Sequence, residues 1–400
     1  MVSTYDLIVI GGGIIGCSIA ESLRGELSRI KLLDPHVGLE LGASSAALGG
    51  INPQLGNDCL GPLGNMAQRS RDIFPDWIRG LADKAGQEIT ILSSGLIQVA
   101  ADEAEMARLV KEVLPVLRDR EIEAHVLDGP RARAHEPLLG PEVAGGLLIP
   151  QDLAVEPRRI MSALHRVLDR DPHVELQAAT AVEVASTATG ATVTLDDGSV
   201  LRTERIVVAA GHLSHTLLDL PEGALFPVKG QAMEFAPGVF GRGLSVTCDA
   251  LIQTPDGPEV AFALPRPDGR IAIGSTFEER VGDTEPTKEG KSSLLRWLAR
   301  IFPGIDRLPV RRHWAGIRPG SGDGAPVLGH VDEHERILAA TGHYGGGITL
   351  APYTARLAAK LLTGASPGAE ESLDLKLCDP GRFRHARFGS RSPGPQPTAH

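Results

Sequence analysis

The fold is decided by residues 5–25, which read YDLIVIGGGIIGCSIAESLRG. They begin with an apolar, β-branched run that predicts a strand buried on both faces. Gly11, Gly13 and Gly16 follow in a GxGxxG spacing and open a predicted helix. A second apolar run, RIKLLD, ends at Asp34, 23 residues after Gly11. This order of strand, glycine turn, helix, strand and acid is typical of a dinucleotide-binding unit.

The three glycines have separate roles in such a unit. The first permits the tight turn, the second lets the backbone approach a pyrophosphate, and the third lets the helix pack close to the strand. The helix N-terminus offers backbone N–H groups, at Ile14 and Ile15, and the positive end of its dipole to the phosphates. Asp34 can accept hydrogen bonds from ribose hydroxyls and would repel a phosphate-bearing ribose. FAD and NAD both fit this stretch taken alone.

Bulk properties limit the remaining possibilities. A chain of 400 residues is too long for one compact core and suits two domains. Its net charge of -10 argues against non-specific nucleic-acid binding. No apolar run has the roughly 18–20 residues of a membrane span, and we see no secretory signal, so we expect a cytoplasmic protein. The cysteines have no metal-site spacing, and we expect no metal; they are Cys17, Cys59, Cys248 and Cys378.

A second glycine turn lies near the other end of the chain. Residues 341–364, TGHYGGGITLAPYTARLAAKLLTG, follow a short predicted strand and lead into a helix. Residues 41–56 form a loop of small residues suited to close approach by a ligand. Two glycine turns directed at one ligand favour a long, extended cofactor, so FAD fits better than NAD. Between them, strand-rich segments predict a second domain built on antiparallel strands, and residues 61–85 have a helical pattern interrupted near Pro75.

Several longer stretches carry a family resemblance. They are VEPRR, VVAAG, PVKGQ, PRPDGRIAIGST, HWAGIRPGSGDGAPVLG and ATGHYGGGITLAP. With the N-terminal glycine turn they span residues 5 to about 365. The chain resembles the FAD-dependent D-amino-acid and glycine oxidase (DAO) family, and most closely the glycine oxidases of thiamine biosynthesis.

The resemblance implies an α/β fold in which a Rossmann-like FAD-binding domain is interleaved with an antiparallel-sheet α+β substrate domain. It implies an FAD-binding domain from residues 1–85, 150–220 and 312–379, and a substrate-binding domain from residues 86–149 and 221–311. We expect residues 380–400 to form a loose tail. Covalent relatives attach the flavin through a cysteine in the region that corresponds to residues 314–328. Since no cysteine stands there, noncovalent FAD is implied.

The resemblance also assigns the cofactor contacts. Ser44 and Ser45 match a second phosphate-contacting loop, and Val182 matches a position whose backbone meets the adenine. Ala210 and Gly211 close a strand over the cofactor. The full implied set is Gly11, Gly13, Ile14, Ile15, Gly16, Asp34, Ser44, Ser45, Val182, Ala210, Gly211, Gly342, Gly345, Gly346, Gly347 and Ile348.

Arg318 matches the arginine that pairs with the substrate carboxylate, and its planar fork suits a bidentate partner. A structural ion pair is the alternative for this residue. Phe262 replaces the family's active-site tyrosine, Phe277 replaces a pocket methionine, and Gly345 replaces a second arginine. Tyr344 is a candidate replacement hydroxyl or a packing residue.

The implied activity is oxidation of the Cα–N bond of a small amino or imino acid. Hydride passes to flavin N5, the imine hydrolyses to a 2-oxo acid and ammonia, and dioxygen is reduced to hydrogen peroxide. A dehydrogenase that passes electrons to a quinone or partner protein is the main alternative, and a flavin-binding scaffold without amine turnover is another. A homo-oligomer is also expected.

Overall fold

A computed structural model describes residues 4–38, 41–53, 62–254 and 257–384. Cys59 and residues 54–56 of the small-residue loop lie outside these ranges. The strands of the described part are β1 (Thr4–Ile10), β2 (Ile30–Leu33), β3 (Gly50–Ile51), β4 (Leu96–Ala100), β5 (His125–Asp128), β6 (Gly145–Ile149), β7 (Leu153–Ala154), β8 (Val174–Gln177), β9 (Ala181–Thr187), β10 (Gly190–Leu195), β11 (Val200–Val208), β12 (Leu225–Phe235), β13 (Thr247–Thr254), β14 (Gly257–Pro265), β15 (Ile271–Gly274), β16 (Glu278–Glu279), β17 (Val310–Ser321), β18 (Val327–His330) and β19 (Ile337–Thr341).

The α-helices of the same ranges are α1 (Ile14–Leu23), α2 (Ala43–Ala46), α3 (Pro62–Ala85), α4 (Glu103–Arg108), α5 (Leu114–Asp119), α6 (Gly129–His135), α7 (Pro157–Asp169), α8 (Lys288–Leu298), α9 (Gly347–Thr363) and α10 (Ala369–Cys378). Helix α3 continues through Pro75, where we expected an interruption. Phe74, Ile78 and Leu81 form its buried stripe, and burial of such a face outweighs the lost backbone hydrogen bond. Among the described helices, none combines the length and hydropathy that crossing a membrane requires.

The first sheet has eight strands, with the central order β18-β19-β11-β1-β2-β8. Strand β1 runs parallel to both β2 and β11, and β11 runs parallel to β19. Leu7, Ile8, Val9 and Ile10 are all buried, which confirms the strand predicted at the start of the chain. The core on one face includes residues of α1, α3, α7 and α9. Cys17 lies in α1 as a buried free thiol.

The second sheet has nine strands, with the order β16-β12-β15-β14-β13-β4-β6-β5 and β17 paired to β12. Most of its pairs are antiparallel, and the chain passes from the first sheet to the second and back twice. The interleaved α/β and α+β architecture predicted from the resemblance is therefore confirmed. Strand β17 pairs with β12 from Val310 to Ser321, so the strand continues past residue 312, where a domain boundary was expected.

The start of the expected loose tail is ordered in the described part. Pro380–Phe383 form a short 3-10 helix in which both end residues are buried. Pro380 packs against Gly329, where an added β-carbon would lie 2.6 Å from the proline Cδ. These four residues correct the tail boundary at 380, because their apolar side chains close the outside of β18.

Candidate active site

The carboxyl ends of β1, β2, β11 and β19 meet at one edge of the first sheet because these strands run parallel. Each strand is followed there by a residue of the predicted cofactor set, namely Gly11, Asp34, Ala210 and Gly342. Ligands of open parallel sheets bind outside this edge. The tertiary structure therefore brings together four short segments that are as many as 331 residues apart in the sequence.

The N-terminal glycine turn is closely packed. Gly11 has a φ of +110°, and an added β-carbon would lie 2.3 Å from the Ala209 oxygen. A β-carbon on Gly16 would lie 2.0 Å from the Gly11 oxygen. At Gly13 the same addition would meet only the Ser44 hydroxyl, at 3.2 Å, within the described residues. The outer two glycines thus serve packing, whereas Gly13 presents open backbone at the start of α1, whose first two residues are Ile14 and Ile15.

Asp34 lies beside the turn, as its position after β2 predicts. Its Oδ2 accepts a hydrogen bond from Gly12 N at 2.7 Å, and its Oδ1 accepts one from His36 N, also at 2.7 Å. Each carboxylate oxygen has a further lone pair for a ligand hydroxyl. The half-buried acid is therefore oriented by backbone donors toward the edge where the ribose is expected.

Helix α2 brings Ser44 and Ser45 to the same turn. Ser44 Oγ accepts a hydrogen bond from Ile14 N at 2.9 Å. Ser45 is buried, and its hydroxyl has no hydrogen-bond partner within the described residues. Arg158 Nε donates to the Ser45 carbonyl at 3.3 Å. An unpartnered buried hydroxyl next to a cation and a helix N-terminus suits a bound anionic group such as a phosphate.

The remaining cofactor candidates lie on both sides of this edge. Gly211 has a φ of +60°, and its carbonyl accepts a hydrogen bond from the Thr341 hydroxyl at 2.7 Å. Ala210 precedes it and follows β11. Val182 lies in β9 of the β9–β10–β11 ribbon with its side chain 50% exposed. No described contact brings Val182 to the glycine turn, so its backbone role stays a prediction.

The second glycine turn begins α9. Gly342 has a φ of +72° and Tyr344 one of +48°, so both hold left-handed backbone. A short 3-10 helix spans Tyr344–Gly346, and α9 continues from Gly347 through Ile348. An added β-carbon at Gly345 would meet nothing within 4 Å. Open glycine backbone at a helix N-terminus matches the role predicted for this turn.

Arg318 lies on β17 opposite Val228, and its side chain crosses the neighbouring strand at Gly230. Its Nη1 donates to the Thr276 carbonyl at 3.0 Å, and its Nη2 donates to the Ser275 hydroxyl at 2.6 Å. Its guanidinium carbon lies 4.5 Å from the centre of the Phe277 ring. The segment after β15 therefore holds this cation by polar and ring contacts.

Arg318 has no ion-pair partner in the part of the chain that the structure describes. Among the described residues, no carboxylate lies within 4.0 Å of its guanidinium. Burial lowers its pKa, while the nearby Tyr344 and Glu278 act in the opposite direction. The ion-pair alternative for Arg318 is thus disfavoured. A desolvated cation with unused N–H donors is suited to a small anion.

One row of paired residues crosses the second sheet on the face over which the Arg318 side chain lies. It comprises Trp314, Ala232, Gly274, Phe262, Asp249 and Gln98. Trp314 Nε1 donates to the Ala46 carbonyl at 2.9 Å. The Phe262 ring packs on Gly50, where an added β-carbon would lie 2.7 Å from Cζ. Phe262 therefore lies on the same face of the second sheet as the Arg318 side chain, and we call this face the wall.

Tyr344 approaches this wall from the second glycine turn, which follows β19 of the first sheet. Its ring stacks on Phe277 with centroids 6.3 Å apart and an interplanar angle of 21°. Since Phe277 also contacts Arg318, the structure brings Tyr344, Phe277 and Arg318 together. The packing role proposed for Tyr344 is supported by this contact, and the hydroxyl role stays a prediction.

Sequence reasoning missed Asp249. It is a 5% exposed residue of β13 paired with Phe262. Burial, Glu105 and Asp152 raise its pKa to about 7, and Arg108 opposes them. A single aspartate in an otherwise ordinary strand carries no motif, so only strand pairing reveals that it lies beside the wall.

Two other titratable residues have structural roles. His343 is buried, and its Nε2 lies 3.1 Å from the Thr354 hydroxyl. Burial lowers the His343 pKa to about 4, so this imidazole is neutral at physiological pH. Lys229 Nζ lies 2.6 Å from Asp283 Oδ1. As the neighbour of Gly230 in β12, Lys229 faces away from Arg318, which favours its structural interpretation.

Comparisons with known proteins give a consistent set of matches. A family model described as DAO, FAD dependent oxidoreductase, matches residues 6–361. A glycine oxidase of Bacillus licheniformis is 30% identical over 362 residues, which are 90% of this chain and 93% of that protein. A glycine oxidase of Pseudomonas putida is 32% identical over 381 residues, covering 90% of this chain and 95% of that protein.

Bifunctional relatives are longer. The chain spans 52% of the ThiO/ThiG protein of Synechocystis, to which it is 29% identical. The solved glycine oxidase of Geobacillus kaustophilus superposes with a TM-score of 0.81 at 27% identity, covering 91% of this chain and 96% of that one.

Proposed function

The chain belongs to the DAO family of FAD-dependent oxidoreductases, and on that premise we propose that it oxidises the Cα–N bond of a small amino or imino acid. The products are a 2-oxo acid, ammonia and, with dioxygen as the acceptor, hydrogen peroxide. The observation that carries the proposal is Arg318, a desolvated guanidinium without an ion-pair partner in the described residues, on the wall that faces the cofactor edge.

The described residues fit FAD. The open backbone at Gly13, the unpartnered Ser45 hydroxyl and the α1 N-terminus suit its pyrophosphate. Asp34 suits the adenosine ribose. The glycine turn before α9 suits the flavin end, because the positive end of a helix dipole stabilises negative charge on the reduced ring. Noncovalent binding is part of this proposal.

The substrate binds through the side chains of the wall. Arg318 binds the α-carboxylate by donating from the N–H groups that Ser275 and Thr276 leave unused. The rings of Phe262 and Phe277 exclude water on the sides of the substrate and so strengthen the charge interaction. An anchored carboxylate fixes Cα, which must face the hydride acceptor.

The reaction transfers two electrons from the substrate to the acceptor. Bound FAD supplies the acceptor for the hydride that leaves Cα. The amine lone pair forms the C=N bond as the Cα–H bond breaks, and the nitrogen loses a proton. Water then hydrolyses the imine to the 2-oxo acid and ammonia when the substrate is a primary amine, and to a carbonyl and an amine that keeps its carbon substituent when the substrate is an imino acid. The two electrons reduce dioxygen, which takes two protons and becomes hydrogen peroxide.

Two positions bear on which substrate is used. Phe262 lacks a hydroxyl at the wall, and Gly345 lacks a cation at the second glycine turn. A lost hydrogen bond to a charged group costs about 1.5–3 kcal/mol. We therefore propose a substrate that gains binding from apolar contact with Phe262 and Phe277, such as a larger amino acid or a cyclic imino acid.

The test is an anaerobic screen of flavin bleaching with glycine, sarcosine, D- and L-amino acids and cyclic imino acids. We expect an amino or imino acid to bleach the flavin, and Arg318→Ala to raise the required concentration at least a hundredfold. Arg79→Ala removes the same charge from an exposed site on α3 and serves as the control. Equal bleaching by wild type and Arg318→Ala would contradict the carboxylate anchor. Reoxidation by air, with peroxide detected, tests the acceptor.

A further inference from the structure

The three residues after β15 surround the guanidinium of Arg318. Ser275 contributes its hydroxyl, Thr276 its backbone carbonyl and Phe277 its ring. All three contacts come from uncharged groups. The direction of the unused N–H donors therefore depends on how firmly this short segment is held.

Thr276 is held from both sides through its own side chain. Its hydroxyl accepts a hydrogen bond from Gln231 N at 2.9 Å and donates one to Glu278 Oε1 at 2.6 Å. Its backbone N–H donates to the Gln231 carbonyl at 3.3 Å. The Thr276 side chain is buried, with the residue 6% exposed. This hydroxyl therefore joins β12 to the loop whose carbonyl receives Arg318.

Gln231 is itself fixed by the start of α8. Its Nε2 donates to Glu278 Oε1 at 2.7 Å and to the Thr287 hydroxyl at 3.0 Å. Thr287 N donates back to Gln231 Oε1 at 2.8 Å, and Thr287 caps α8 through Gly290 N at 3.0 Å. A β-carbon on Gly290 would lie 2.3 Å from Gln231 Nε2. The network is thus connected to a rigid helix end.

Glu278 supplies the negative charge of this network. It accepts from Thr276 and Gln231 at one oxygen, and it acts on the Arg318 pKa without an ion pair to it. The carboxylate therefore partly balances the half-buried guanidinium and leaves the donors of Arg318 available.

We propose that Thr276 is the positioning residue for Arg318: its hydroxyl locks the carbonyl that receives Nη1, and so aims the free N–H groups at the substrate carboxylate. The inference rests on the proposed function, because it assumes that Arg318 binds a carboxylate. Thr276 acts only through Arg318 and does not touch the substrate.

The test compares Thr276→Val, which keeps the shape of the side chain but lacks the hydroxyl, with Thr276→Ser, which restores it. Acetate binding to the FAD-loaded protein is measured through the flavin absorbance, beside KM and kcat for the substrate found in the screen. We expect Thr276→Val to weaken acetate binding and raise KM about tenfold, the effect of one misaligned charged hydrogen bond. We expect kcat at saturation to stay within about threefold.

Thr276→Ser should restore acetate affinity to within about threefold of wild type, since the hydroxyl returns. Flavin content and the unfolding midpoint show that each variant is folded, and Thr276→Ala replaces the valine variant if that one does not fold. Acetate affinity within twofold of wild type in the folded Val or Ala variant would overturn the proposal. Failure of the serine variant to recover binding would do so too.

Arg318→Ala separates this inference from the proposed function. If alanine leaves acetate affinity unchanged, Arg318 is not the anchor and the proposed function fails at that point. If alanine weakens acetate binding while Thr276→Val does not, only the positioning role fails. The two results therefore identify which statement is wrong.

Discussion

The guanidinium of Arg318 lies directly over the backbone of Gly230. A β-carbon added at Gly230 would be 2.3 Å from Nη1 and 2.4 Å from Cζ. Gly230 therefore forms the floor of the anchor, whereas a β-carbon on its partner Gly316 would meet Ala46 at 2.4 Å. The long arginine side chain can therefore cross the sheet and reach the loop after β15.

Gly230→Ala should displace the guanidinium, because real β-carbons do not approach another heavy atom this closely. We expect KM for the amino or imino acid to rise at least tenfold, with FAD still bound. Steady-state kinetics and acetate titration measure the change. Gly80→Ala is the matched control, since an added β-carbon in α3 would meet nothing within 4 Å. A KM unchanged in Gly230→Ala would show that the anchor lies elsewhere.

Gly13→Ala should weaken FAD binding while the apoprotein stays folded. The added β-carbon would meet only the Ser44 hydroxyl, at 3.2 Å in the described structure, but it would occupy the space proposed for the pyrophosphate. We expect the FAD dissociation constant to rise at least tenfold in a titration of the apoprotein. Gly25→Ala, with nothing within 4 Å of the added carbon, is the control. Equal FAD affinity in Gly13→Ala and wild type would count against this pyrophosphate site.

Asp249→Asn should change how stability depends on pH. Because the folded-state pKa is raised to about 7, the native protein retains a proton that the unfolded chain loses near pH 4. This group's contribution to stability is therefore lost as pH rises from about 4 to about 7, by up to about 4 kcal/mol. The asparagine variant should lack that loss and gain stability relative to wild type at pH 8.

Urea unfolding at pH 5 and pH 8 measures the difference for Asp249→Asn. The exposed Asp83 on α3 provides a control, since Asp83→Asn should leave the pH dependence of wild type in place. An asparagine variant at position 249 with the same pH dependence as wild type would refute the assignment.

His343 should make stability depend on pH with the opposite sign to Asp249. Burial lowers the pKa of His343 to about 4. The unfolded chain therefore binds a proton below about pH 6.5, and the native protein does not bind it until about pH 4. Stability should fall as pH is lowered from about 6.5 to about 4, by up to about 3 kcal/mol from this residue. His343→Gln should flatten the dependence in the same unfolding assay, and the exposed His125→Gln should not. The same pH dependence of the free energy of unfolding in His343→Gln and wild type would contradict this prediction.

The cofactor unit could be predicted from short stretches of sequence. Its features depend on residues that are close together in the sequence. They are a positive φ at Gly11, a helix N-terminus after Gly13 and an acid after the next strand. The continuity of α3 through Pro75 was not predicted, because the buried stripe that outweighs the proline is decided by distant packing partners.

The substrate wall was only partly visible in the sequence. Arg318 stood in a stretch that the family resemblance marks, and Phe262 was named as the replacement for the family's active-site tyrosine. Gly230 and Thr276 stood in two further such stretches without an assigned role, and Asp249 stood outside them, since the importance of all three comes from the strands they face. The placement of β17 in the second sheet follows from its pairing with β12, which no local pattern records.

The sequence alone therefore determined the dinucleotide turn, because it depends on backbone preferences and residue types within a short segment, and the family resemblance implied the α/β class and a candidate carboxylate anchor. Tertiary structure decided what the anchor rests on and what aims it. Gly230 and Thr276 lie 88 and 42 residues from Arg318 in the chain. They meet it because strand register, a property of packing the whole sheet, brings residues distant in sequence into direct contact.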